Sequence, residues 1–170
     1  MGFPNSTKNC FHKKGHVSII SSQHEHAQYL QDKLRKEDLY ECFIHRVTPF
    51  MALHQPIKEK DGYVFTALFK DEPVAMFGVA DVKNDLDINA GTVWMLGSKE
   101  LYKCQLSLTK TSKQIVDWLM TEYDMLENIV PAKNKKTINW LKFLGFTVKN
   151  TPINVNNYDC FHFVRCHSLK

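Results

Sequence analysis

The chain has 170 residues, 44% of them hydrophobic and 24% charged, which is one domain's worth of globular protein and excludes a disordered tail. Seven Gly and six Pro exclude collagen-like and low-complexity chains. The longest apolar stretches, such as Val74–Ala80, reach about seven residues against the ~20 that a membrane span needs.

The net charge of +4 is a surplus that solubility alone explains, so nucleic acid is not expected as a partner. Basic residues are densest between Lys103 and Lys142, which suits an anionic small ligand. The five cysteines are odd in number and contain no CxxC pair. With no apolar h-region in the first residues, they point to a reducing cytosol. Gly2 and Ser6 fit the short myristoylation pattern, which is loose enough to arise by chance. Cys160, His162, Cys166 and His167, with Cys10 and His12, could suggest a metal. Their spacing lacks the two separated ligand pairs of a zinc site, so no metal is expected.

Residues 1–15 read as a loose polar arm and 16–170 as a single domain. His16–Ser21 is expected as a first strand. Ser22 and Glu25 form an S-x-x-E capping box before a helix carrying Ala27, Leu30 and Leu34 on one face. Asp38 can cap a second helix with Leu39, Phe43 and Val47 as its apolar stripe. Thr48-Pro49 starts a short helix through Leu53, which Pro56 ends.

Tyr63–Phe69 and Val74–Val82 are strand-like runs joined by Lys-Asp-Glu-Pro, a hairpin with a four-residue connection. Thr92–Leu96 completes an antiparallel meander. The period then switches to helical, with Ile115, Val116, Leu119, Met120 and Tyr123 on one face and Thr109, Thr111 or Ser112 as cap. Leu126–Val130 is a short strand. Asn134 caps the next helix, Ile138, Leu141 and Leu144 are its core positions, and Gly145 stops it. Phe146–Lys149 and Tyr158–Arg165 are the last strands. The order β-α-α-β-β-β-α-β-α-β-β gives an α+β fold: a mixed, mostly antiparallel sheet of about seven strands with helices on both faces. Its one parallel crossover joins the fourth and fifth strands. Trp94, Trp118 and Trp140 are expected as core aromatics.

This order, with Asn134, Thr137, Trp140, Gly145 and Phe146 at their spacing, resembles the GNAT superfamily of N-acetyltransferases over about 150 residues. Trp94–Ser98, Leu108–Asp117, Leu126–Val130 and Thr137–Phe146 look most like a small phage-encoded branch. So do Asp38-x-x-Glu41 and Pro49-x-x-Ala52-Leu53. Some members of that branch are internal virion or morphogenesis proteins.

The resemblance implies an acetyl-CoA-dependent N-acetyltransferase acting on an amine, in the cytoplasm of a bacterial host or in a virion. The coenzyme would lie where the fourth and fifth strands splay apart, with Met95 and Leu96 on one side and Asn128 and Asn134 near the other. Its pyrophosphate would meet a helix start at Lys110, Thr111, Ser112 and Lys113, although the family's glycine-rich loop is missing. The family's proton-donating Tyr is replaced by Leu141, leaving Ser98 or Tyr123 as substitutes and Glu127 or Glu41 as general base. The rival reading is a catalytically degenerate GNAT fold serving in phage assembly or host interaction.

Overall fold

The computed structural model describes residues 12–83 and 88–167. Nine strands form one sheet: β1 (His12–Lys14), β2 (Val17–Ser21), β3 (Tyr63–Phe69), β4 (Glu72–Val82), β5 (Ala90–Gly97), β6 (Met125–Pro131), β7 (Thr147–Val148), β8 (Ile153–Val155) and β9 (Tyr158–Cys166). Their order is β1-β2-β3-β4-β5-β6-β9-β7, with β8 also on β9. Among the described residues, only β5 and β6 pair in parallel, at the expected crossover. β1 and β8 exceed the expected seven strands; at three residues each they are too short for alternation to reveal them. β1 lies within the stretch read as an arm, whose residues 1–11, with Gly2, Ser6 and Cys10, fall outside the described residues.

The β3–β4 hairpin is tighter than expected. Lys70 and Asp71 take φ of 52° and 65°, a two-residue turn of the type that matches strand twist, so β4 begins at Glu72. Pro73 sits inside β4, opposite Leu68, where the ladder is already broken by a bulge at Ala67/Leu68.

Helices α1 (His24–Leu30), α2 (Lys36–Ile44) and α3 (Pro49–Glu59) cover one face, burying Ala27, Leu30, Cys42 and Leu53 against Met76 and Leu96. Helices α4 (Gln105–Glu122) and α5 (Lys135–Phe143) cover the other, burying Ile115, Val116, Leu119, Ile138 and Leu141. Several helix ends differ from expectation. Ser22 bonds Thr66 Oγ1 at 2.8 Å instead of capping, and the Gln23 N–H donates to His26 Nδ1 at 3.1 Å. Thr48 caps α3 as expected, accepting from the Met51 N–H, but α3 runs on through Pro56 to Glu59. A proline there forfeits one backbone hydrogen bond without ending the helix.

The largest shift is at α4. A 3-10 turn over Lys99–Cys104 leads directly into it at Gln105, so Thr109, Thr111 and Ser112 are interior. Their hydroxyls donate back to the carbonyls of Gln105, Ser107 and Leu108 at 2.7, 3.0 and 2.6 Å. Such back-bonding lets hydroxyl residues sit in mid-helix, and it hides the true start from a search for cap residues.

Helix α2 is turned over relative to its expected face. Leu39 and Phe43 are 42% and 63% exposed, whereas Asp38 is 2% exposed. Asp38 is not the cap. Its two oxygens accept from Arg35 Nε and Nη2, each at 2.8 Å, and Oδ2 also accepts the Gly97 N–H at 2.8 Å. The Arg35 N–H in turn donates to the Gly97 carbonyl at 2.9 Å. A bidentate, amide-supported carboxylate outweighs two leucine-sized faces here, because an unpaired buried charge costs several kcal/mol. Removing it with Asp38→Ala is expected to lower unfolding free energy by about 3–5 kcal/mol in urea denaturation, since Arg35 and the Gly97 N–H are then left buried without a partner.

Candidate active site

The site begins as an interrupted ladder. β5 pairs with β4 along its whole length to Gly97, and β6 pairs with β9 to Pro131. Between β5 and β6 only three registered pairs form: Ala90–Met125, Gly91–Leu126 and Thr92–Glu127. The closed end is clamped by Asn89, whose N–H donates to Asp124 Oδ2 at 3.0 Å and whose carbonyl accepts the Asp124 N–H at 2.8 Å. Beyond Thr92 the strands separate.

Asn128 stands in the crotch. Its Nδ2 donates to the Val93 carbonyl at 2.8 Å and its Oδ1 accepts the Ile129 N–H at 2.7 Å. The carboxamide thus inserts itself into the rung that Val93 and Ile129 would otherwise make directly. Backbone direction alternates along a strand, so the next groups aimed into the gap are those of Met95 on one side and residue 131 on the other. Residue 131 is proline and has no N–H to give. Its carbonyl is taken by the Asn134 N–H at 2.9 Å. The strands cannot zip further. Met95 therefore presents backbone groups to the gap, while Leu96 is the neighbour whose backbone faces β4 and whose side chain is buried.

A cavity of about 530 Å³ runs through this opening and reaches both faces of the sheet. On the α4–α5 side it is lined by Ser112, Ile115, Val116, Leu119, Trp140 and Leu141. On the α2–α3 side it meets Arg35, Asp38, Glu41, Cys42 and His45, then Val47, Ala52 and Pro56. Trp94 and Met95 form the rim between them. Trp94 and Trp140 are therefore cavity walls as well as core aromatics, while Trp118 packs edge-on against Tyr63 at 4.9 Å.

The α2 wall carries the titratable groups. Asp38, Glu41, Cys42 and His45 recur at helical spacing and share one face. Asp38 is consumed by Arg35. Glu41 is held through Asn134, whose Nδ2 donates to Glu41 Oε1 at 3.1 Å while its Oδ1 caps α5 by accepting the Thr137 N–H at 3.2 Å. Burial, reinforced by the nearby Asp38 charge, pushes the Glu41 carboxyl up to about 7. Burial also holds the His45 imidazole below its ordinary range. His45 is a site residue not expected from the sequence, although its position four residues after Glu41 is the signal that points to it.

The remaining expected site residues are dispersed. Glu127 accepts or shares a hydrogen bond with His162 Nε2 at 2.7 Å, beside the closed end of the fork. Ser98 is buried, with its hydroxyl on the Val74 carbonyl at 3.3 Å. Tyr123 donates to Asp81 Oδ1 at 2.5 Å, and burial together with that carboxylate raises its phenol. None of the three lines the cavity. Of the four residues expected at a helix start, Ser112 lines it; Thr111 is buried with its hydroxyl turned away, Lys113 pairs with Asp117 at 3.4 Å, and Lys110 is exposed. The free N–H groups of a helix N-terminus are not at these positions, because α4 starts at Gln105. Among the described residues, no three His, Cys, Asp or Glu side chains converge as a metal site.

No protein-family model matches the chain, and neither does any curated protein sequence. Solved structures do match. The ribosomal-protein-S18-alanine N-acetyltransferase of Escherichia coli superposes with a TM-score of 0.64 at 15% identity, over 91% of this chain and 96% of that one. The spermidine N-acetyltransferase of Vibrio cholerae, in complex with CoA and spermine, gives 0.65 at 10% identity over 89% and 95%. The ribosomal-protein-S5-alanine acetyltransferase of Vibrio fischeri gives 0.63 at 13% over 91% and 95%. At these identities the likeness establishes architecture: this chain has the fold of the GNAT acetyltransferases.

Proposed function

We propose that the protein is an acetyl-CoA-dependent N-acetyltransferase. The observation that carries this is the cavity that passes through the β5–β6 fork, with strand backbone on its rim and a single uncommitted carboxylate, Glu41, at one end. The fork fits a pantetheine arm: its amides need alternating donors and acceptors from an extended edge, which Met95 offers opposite Ile129. The local resemblance to a phage-encoded branch supplies a setting, a bacterial cytoplasm in which the coenzyme is abundant.

In this reading the coenzyme supplies an acetyl thioester from the α4–α5 side, and the acceptor amine enters from the α2–α3 side. Met95 orients the carbonyl through its backbone, and its N–H donates to the oxygen on which charge develops. Glu41 takes the proton from the amine as the carbon–nitrogen bond forms and the carbon–sulfur bond breaks, and sulfur leaves as the thiolate of CoA. Asn134 positions Glu41. Of the stretch expected at the phosphates, Ser112 alone lines the cavity, and its hydroxyl donates to the Leu108 carbonyl. Leu141 offers the departing sulfur no proton, so the thiolate is protonated by solvent.

That same leucine favours a second reading, a silent GNAT fold serving as a virion or assembly protein. Titration calorimetry with acetyl-CoA separates the two: saturable heat at micromolar to sub-millimolar coenzyme is expected, and no heat at near-millimolar coenzyme supports the silent fold.

Glu41 gives a paired prediction. A base near 7 makes kcat rise through about pH 7. Glu41→Gln keeps the acceptor oxygen for Asn134, so kcat should fall about 100-fold and the pH dependence should flatten. Stability moves the other way. The unfolded chain releases this proton near the ordinary value of 4.5 and the native protein near 7, so between these values the native state holds more protons and stability falls as pH rises. At pH 8 the glutamine variant should therefore melt higher than the parent, by about 2–4 °C for each kcal/mol recovered. A lower melting temperature with unchanged kcat would assign Glu41 a structural role.

A further inference from the structure

We infer that the acceptor is a monoamine whose nitrogen is carried close to an apolar group of aromatic size. The inference rests on the acetyltransferase reading and concerns the α2–α3 half of the cavity. It comes first from a charge inventory. Among the lining residues on that side, Arg35 and Asp38 close on each other through two bonds of 2.8 Å, and the Gly97 N–H occupies Asp38 further. Glu41 is the one carboxylate left for a cation. One ammonium can be neutralised here. A polyamine would bring a second or third, and each would be desolvated against Val47, Ala52, Pro56 and Ala80 with no counter-charge.

The walls argue against a peptide N-terminus as well. A peptide carries an amide every residue, and each buried amide needs a partner. Apart from Glu41, the side chains beyond Asp38 that could partner one are Cys42, His45, Thr92 and Trp94, whose buried Nε1–H has no partner of its own. The other walls are methyl, methylene and ring surfaces. They suit a compact apolar group.

Trp94 supplies the size. It packs against the α1–α3 side of the sheet and lines the cavity. Its registered neighbour is Gly78, which must be glycine because a Cβ there would lie 2.2 Å from the Tyr63 carbonyl. That constraint leaves the indole without a side chain beside it on β4, and Ala80, the next residue on the same face, adds only a methyl. A planar group can lie along this flank, where aromatic pairing adds to area burial and a nearby ammonium is favoured by the ring face.

The test uses the full chain with acetyl-CoA and four acceptors at equal concentration: tryptamine, phenethylamine, spermidine and a short peptide beginning with alanine. Products are read by mass. Each amine is also titrated calorimetrically into the protein saturated with CoA, a binding readout independent of turnover. Tryptamine or phenethylamine should show at least tenfold higher kcat/KM, and tighter binding to the CoA-loaded protein, than spermidine or the peptide. Preference for spermidine or the peptide would overturn this inference and leave the acetyltransferase reading standing. Binding of acetyl-CoA with no amine bound or acetylated would overturn it too. Absence of acetyl-CoA binding would remove the acetyltransferase reading itself.

Discussion

A parallel ladder continues only while each strand can offer a donor and an acceptor to the other, and in this protein that supply ends at one position. Asn128 places its carboxamide between Val93 and Ile129, and the next donor due from β6 would come from Pro131, which has none. Three registered pairs close one end of the β5–β6 junction and the other end stays open. A sheet with a buried, unzipped seam is costly unless its polar groups find partners. The stabilising partners lie on the outer edges, where β5 stays paired with β4 and β6 with β9. The opening is built into the covalent sequence, not left to chance in packing.

The helices are arranged around that seam. Helix α2 gives up the burial of Leu39 and Phe43 to present Asp38, Glu41, Cys42 and His45 to the cavity. Asp38 converts this sacrifice into rigidity by tying α2 to the end of β5 through Arg35 and Gly97. Asn134 then links α2 to α5 across the fork, one amide serving both as helix cap and as donor to Glu41. The raised carboxyl of Glu41 is the consequence of holding a carboxylate in this enclosed place with one amide donor and no paired cation. The chain accepts that instability where chemistry would use it.

The order of strands and helices was legible because the meander, the β5–α4–β6 crossover and the Asn134-to-Gly145 helix carry long periodic signals with capping residues in place. The fork itself was expected from resemblance, while its physical cause, Asn128 followed by Pro131, was not read as such. Local chemistry misled at several helix ends and at α2. The hydroxyls of Thr109, Thr111 and Ser112 bond within the helix and so imitate a cap that is not there. Pro56 lies inside α3, where it breaks one hydrogen bond without ending the helix. For α2, apolar periodicity picked out Leu39 and Phe43, whereas the buried ion pair of Asp38 decided which face turns inward; propensity and hydropathy carry no term for a tertiary partner such as Gly97. Of the site, Met95, Leu96, Asn128, Ser112 and Glu41 line one cavity, and Glu127, Ser98 and Tyr123 lie outside it because partners elsewhere hold them.

The central claim is that the gap between β5 and β6 is a binding edge whose backbone groups a ligand completes. Amide hydrogen exchange of the full chain, with and without saturating acetyl-CoA, tests it directly. The account predicts that the Met95 amide gains at least tenfold protection when the coenzyme binds, together with slower exchange of the Asn128 side-chain amide. Meanwhile the Ala90–Thr92 amides, already paired at the closed end, stay unchanged. Equal protection with and without coenzyme at Met95, or protection confined to the distant β2–β3 pair, would contradict it.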